Sequence, residues 1–197
     1  MKESEIIDFV KDKIKPLHDF AYKSPVYRCS ANLTDGLYLP CVTIQSRQAY
    51  VDLAIRRFKE CRDAASGVLK RLMLRTKPAN SINDYRTIVG TFVCGGNSIN
   101  YYDIKNLAES PFAIPPERMA EIIGETYMNW TQFTARMKDG RQFQFGTTYS
   151  MEFFDMPDGY TAGDIVKIIS ATRGTPPNFQ EKVFREKPFF VCYIEGL

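Results

Sequence analysis

Apolar residues open the chain at helical spacing. Ile6, Ile7, Phe9, Val10 and Ile14 recur at steps of three and four between acidic and basic neighbours, and Pro16 stops the pattern, so residues 2–15 are expected to form a short amphipathic helix. The stretch from Pro25 to Pro40 holds Asn32 and Asp35-Gly36 between its prolines and reads as loop or irregular strand, leading into a short strand at about 37–45. Beyond a Ser46 N-cap, Tyr50, Ala54, Phe58, Cys61, Ala65, Val68 and Leu72 share one helical face, predicting a long amphipathic helix over 46–75 that ends before Pro78.

The period then changes from 3.6 to 2. Residues 85–94 have strand composition, and Gly95-Gly96-Asn97 suits a hairpin turn back into Ile99, Tyr101 and Tyr102. Residues 103–118, with Pro111, Pro115 and Pro116, are expected to be irregular apart from a turn of helix at 103–107. The sharpest alternation lies at Phe133, Ala135 and Met137, then Lys138-Asp139-Gly140, then Phe143 and Phe145, a hairpin whose inner face is those five residues. A third strand over Tyr149–Phe153 would extend it to an antiparallel meander. Thr161 with Asp164 resembles a capping box, residues 165–169 fit helix or strand equally, and 183–194 reads as a terminal strand interrupted at Pro188.

These elements predict an α+β fold: an antiparallel sheet, with its meander in the C-terminal half, packed against the 46–75 helix. Residues 1–24 would form a helical docking arm and 25–197 a single domain. A chain of 197 residues with 44% hydrophobic and 25% charged residues buries enough surface to fold without staples. Cys29, Cys41, Cys61, Cys94 and Cys192 are scattered, with no C-x-x-C pair and one histidine, His18, to join them. They are therefore expected to be reduced, without metal or other cofactor, in a cytoplasmic protein with no membrane segment.

The net charge of +3 is weak, but its distribution is uneven. Between Arg56 and Lys77 stand eight basic and two acidic residues; between Glu117 and Asp164 stand eight acids and four bases. Arg56, Arg57, Lys59, Arg62, Lys70 and Arg71 on the predicted helix offer a phosphate-binding face, the alternative reading of a nucleic-acid binder. The separated charge equally suits a protein partner or head-to-tail self-association.

Catalytic signatures are lacking. No Gly-x-Ser-x-Gly elbow, phosphate loop, dinucleotide fingerprint or His-Glu-x-x-His occurs, and His18 is tied to no nucleophile. Glu125, Glu152 and Asp155 are the carboxylates for a further alternative, a carboxylate- or metal-dependent enzyme, but their spacing does not force them together, and Glu152 and Asp155 would leave a continuous strand on opposite faces. Adjacent aromatic pairs are more telling. Tyr101-Tyr102 and Phe153-Phe154 cannot both face inward on a regular strand, so some should be exposed. Tyr101, Tyr102, Tyr127, Trp130, Phe154 and Tyr160 are thus the candidate surface of a non-enzymatic protein that modulates, inhibits or scaffolds a protein partner.

Overall fold

The computed structural model describes residues 1–19, 24–52, 55–56, 97–177 and 180–197. Among these, ten strands form two sheets. The first sheet runs β1 (Leu17–Asp19), β2 (Ser24–Leu33), β3 (Tyr38–Ser46), β10 (Phe190–Ile194), β4 (Ser98–Ile99), with β5 (Ile104–Glu109) pairing with β2 beyond β1. The second runs β8 (Ile165–Ser170), β6 (Thr131–Met137), β7 (Gln142–Thr147), β9 (Val183–Arg185).

This overturns the expected α+β architecture. Among the described residues the protein is mostly β, and none of them form a long amphipathic helix packed on either sheet. Residues 47–52 and 55–56 are helical, but the remainder of the predicted 46–75 helix lies outside the described residues, as does the strand predicted at 85–94. Nor are the sheets purely antiparallel: β10 is parallel to both β3 and β4, and β9 is parallel to β7. Among the described residues, no helix is long and apolar enough to cross a membrane.

Helix α1 (Glu3–Lys13) follows its pattern. Glu3 and Glu5 lie in its first turn and Lys11 and Lys13 in its last, matching the helix dipole, while Ile6 and Val10 are fully buried. They pack with Ile14 onto Tyr27, Cys29, Ala31, Ile44, Ile104, Cys192 and Ile194, the first core. Tyr27, Cys29 and Ala31 alternate along β2, which is a ten-residue strand where loop or irregular strand was expected. Its other face is buried too, carrying Val26, Arg28 and Ser30 toward the second half of the molecule.

The hairpin of β6 and β7 forms in the expected register, Phe133 opposite Phe145 and Ala135 opposite Phe143, around a turn in which Gly140 takes φ +89°. No meander follows. Residues 149–153 form no strand; β8 pairs with β6 and β9 with β7 instead. Phe133, Met137, Phe145, Phe154, Met156, Ile165, Ile168 and Phe184 make the second core.

Two bulges explain why two strands depart from a two-residue period. The β2–β5 register shifts at Asn32/Leu33 and the β6–β8 register at Arg136/Met137, so Ile104 with Leu107, and Ile165 with Ile168, are both buried although three residues apart. On a regular strand such pairs would face opposite ways. Where a turn of helix was expected at 103–107, residues 104–107 thus belong to strand β5, with a short 3₁₀ turn at Tyr101–Asp103 before it, and 165–169 is strand. Thr161 and Asp164 do form the capping box, Thr161 N donating to Asp164 Oδ2 at 2.8 Å. The terminal segment is two strands in different sheets, handed across at Glu186–Phe189.

Candidate functional site

Among the described residues, the open end of the β6–β7 hairpin carries the two most exposed of the large apolar side chains. Tyr127-Met128-Asn129-Trp130 closes on itself, Tyr127 N donating to Trp130 O at 3.0 Å and Trp130 N to Tyr127 O at 2.7 Å. Met128 and Asn129 have φ +40° and +64°, the left-handed pair of a type I′ turn. Asparagine tolerates this region; for methionine it costs about 1 kcal/mol or more. The surroundings hold the turn in place. Glu125 Oε1 accepts from Asn129 N at 2.9 Å, and buried Thr126 donates its hydroxyl to Trp130 O at 2.9 Å while accepting from Gln132 N at 3.2 Å.

The register Thr131 opposite Thr147 brings a second turn beside the first. Thr147 Oγ1 donates to Ser150 O at 2.8 Å and accepts from Tyr149 N at 3.0 Å and Ser150 N at 3.2 Å, fixing a turn that projects Tyr149. Met128 is 80% and Tyr149 88% exposed. Between the turns Trp130 is buried: its ring lies against Gly146, its Nε1 donates to Gln132 Oε1 at 3.1 Å, and the Arg185 guanidinium sits 4.6 Å from the ring centre. Ile123, half exposed, joins this end through Ser170, whose hydroxyl accepts from Ile123 N at 3.0 Å. Gly174 N donates to Thr126 O at 2.8 Å, placing exposed Arg173 nearby.

The six aromatic candidates do not gather into one surface. Tyr127, half-buried, belongs to this end, and so does Trp130, but Trp130 is 4% exposed, which corrects its expected exposure. Tyr160 lies at the opposite, closed end, where its hydroxyl donates to Asp139 Oδ2; that bond lowers the Asp139 pKa and raises that of Tyr160. Tyr101 and Tyr102 sit on the first sheet, Tyr102 being 61% exposed and Tyr101 partly packed on the first core. Phe154 is fully buried between Phe133 and Phe145, which corrects its expected exposure. Phe153 is buried as well, against Phe189: the segment lies between two apolar layers instead of on a one-sided strand, so adjacent rings can both face inward.

Of the basic set, Arg56 is half-buried in a helical stretch, and Arg57, Lys59, Arg62, Lys70 and Arg71 lie outside the described residues. The three carboxylates take separate partners: Glu125 the Asn129 amide, Asp155 the Lys187 ammonium at 3.1 Å, while Glu152 is close enough for its charge to act on Arg28. Among the described residues no three His, Cys, Asp or Glu side chains cluster to hold a metal ion. Met128 and Tyr149 were missed from sequence. A clue to the turn was present in Asn129 between two aromatic residues, but nothing in the pattern marks Tyr149 as exposed. No protein-family model, no curated protein and no solved structure matches this chain.

Proposed function

We propose that this is a non-enzymatic cytoplasmic protein that modulates or scaffolds a protein partner, engaging it through the end of the second sheet where Met128 and Tyr149 project. The carrying observation is Met128, held in left-handed backbone yet 80% exposed. Backbone strain with no burial in return is what a contact surface retains and a merely structural turn sheds. A flexible thioether beside a rigid phenol ring, ringed by Arg173, Arg185 and Glu125, has the composition of a partner hot spot. The three described cysteines, buried and unbridged, fit a reducing compartment.

The test uses tagged wild-type protein and its Met128→Gly and Tyr149→Ser variants, incubated with native lysate, treated with nuclease and washed at two salt concentrations. Glycine relieves the turn, so Met128→Gly should melt at or above the wild-type temperature while losing the captured partner. Partners retained equally by both variants, or recovery only of nuclease-sensitive material, would refute the assignment.

A further inference from the structure

A second feature lies away from this surface, where β2 meets the second half of the protein. Arg28 is 4% exposed. Its Nη1 donates to Glu152 O at 3.0 Å and its Nη2 to Ile114 O. Its Nε has no hydrogen-bond partner, and neither does the equally buried Oε2 of Glu152. Among the described residues no carboxylate comes within ion-pair range of this guanidinium. A buried cation held by two carbonyls alone is under-compensated. Burial accordingly draws the Arg28 pKa from 12.5 down to about 10, against the attraction of Glu152.

Arg28 lines a cleft of about 270 Å³ between α1's C-terminal end and residues 109–117. This is below the roughly 300 Å³ at which drug-sized pockets begin, so the occupant is small. Lys13 and Lys15 add positive charge, Glu109 and Glu117 negative charge, and Ser110, Ala113 and Pro115-Pro116 complete the wall. Lys13 is already paired with Asp12 at 2.8 Å, which leaves Arg28 and Lys15 against Glu109 and Glu117, a balanced set that suits a zwitterion and opposes a doubly charged anion. The two acids also give a cationic group on the same molecule somewhere to go. Across the cleft Lys15 Nζ meets Glu117 Oε1 at 3.4 Å; both side chains are largely exposed, so this pair opens at little cost.

We propose that this cleft binds a small amino-acid-like zwitterion, its carboxylate toward Arg28 and Lys15 and its ammonium toward Glu109 and Glu117. The probes are glycine, glutamine, acetate and inorganic phosphate, titrated into the full chain while the Arg28 Nε–H resonance is followed by NMR. The amino acids shift that resonance saturably, acetate does so more weakly, and phosphate does not compete. The Glu109→Gln, Glu117→Gln double variant, altered only at the cleft's rim, binds the amino acids about tenfold more weakly, the size of one lost charged hydrogen bond, and acetate no more weakly than wild type. Absence of a saturable shift with either amino acid, phosphate binding tighter than amino acids, or a double variant indistinguishable from wild type would each overturn the proposal.

Discussion

The two cores solve the same problem with different side chains. The first is aliphatic and sulfur-containing: Ile6, Val10, Val42, Ile44, Ile104, Ile194 and two cysteines, closed by a helix over a six-stranded sheet. The second covers only four strands and relies on rings. Phe133 stacks on Phe145 with centroids 5.4 Å apart and meets Phe154 edge-on at 5.3 Å, and Phe145 lies 5.5 Å from Phe184. A small sheet over which, among the described residues, only the short helix Pro116–Met119 packs needs few, large, mutually oriented side chains. A larger sheet can share its burial among many small ones, so each matters less.

That contrast can be broken most forcefully at Phe133. Phe133→Ala should cost about 3–5 kcal/mol, and Ile6→Ala, at the helix of the first core, about 2–4 kcal/mol. Trp130 is the chain's only tryptophan and belongs to the second sheet, whereas far-ultraviolet circular dichroism reports both sheets. Coincident urea transitions by the two probes in both variants would mean that the cores unfold as one unit; an earlier tryptophan transition in Phe133→Ala would mean that they separate.

Next in size is Gly146. Any Cβ there would overlap the Trp130 six-membered ring, so Gly146→Ala should cost about 1–3 kcal/mol and red-shift tryptophan emission as the ring is displaced. An unchanged spectrum and melting temperature would show that Trp130 moves freely.

The smallest effect sharpens the first core. Burial raises the thiol pKa of Cys29 and pushes Cys192 from 9.0 up to about 12. Below pH 9 the thiols are protonated in both states; above it the unfolded thiols ionise while the folded ones do not. Their contribution is therefore complete at neutral pH and lost from about pH 9 toward pH 12, by roughly 1.4 kcal/mol per thiol per pH unit. Urea unfolding at about pH 8 and pH 10 should show a smaller decline in Cys192→Ala than in wild type. Equal declines would contradict the buried, protonated thiol.

Legibility from sequence followed local completeness. The β6–β7 hairpin was readable because Asp139-Gly140 and the flanking alternation supply turn and register within thirteen residues, and α1 because its apolar stripe and Pro16 are adjacent. Strand β2 was not, since both its faces are buried: Arg28 and Ser30 look solvent-facing until the second half of the chain arrives over them. The bulges in β5 and β8 converted a two-residue period into a three-residue one, the signal of a helix. For the candidate surface, aromatic type singled out Tyr127 but also the buried Trp130 and Phe154. Exposure depends on which turns meet at a sheet end, and that meeting is set by the Thr131–Thr147 register, not by any motif.

The place of β10 bears on how the chain is made. Synthesised after the other nine strands, it takes the position between β3 and β4, and no earlier strand among those described occupies it. While a ribosome is still adding these residues, β3 waits with one edge bare and the first core lacks Cys192 and Ile194. The strands of the second sheet have all been made by that moment, since β9 precedes β10 by the crossover segment at 186–189. Emergence of the nascent chain thus favours the aromatic half first, and leaves that edge of β3 without its partner until β10 has followed.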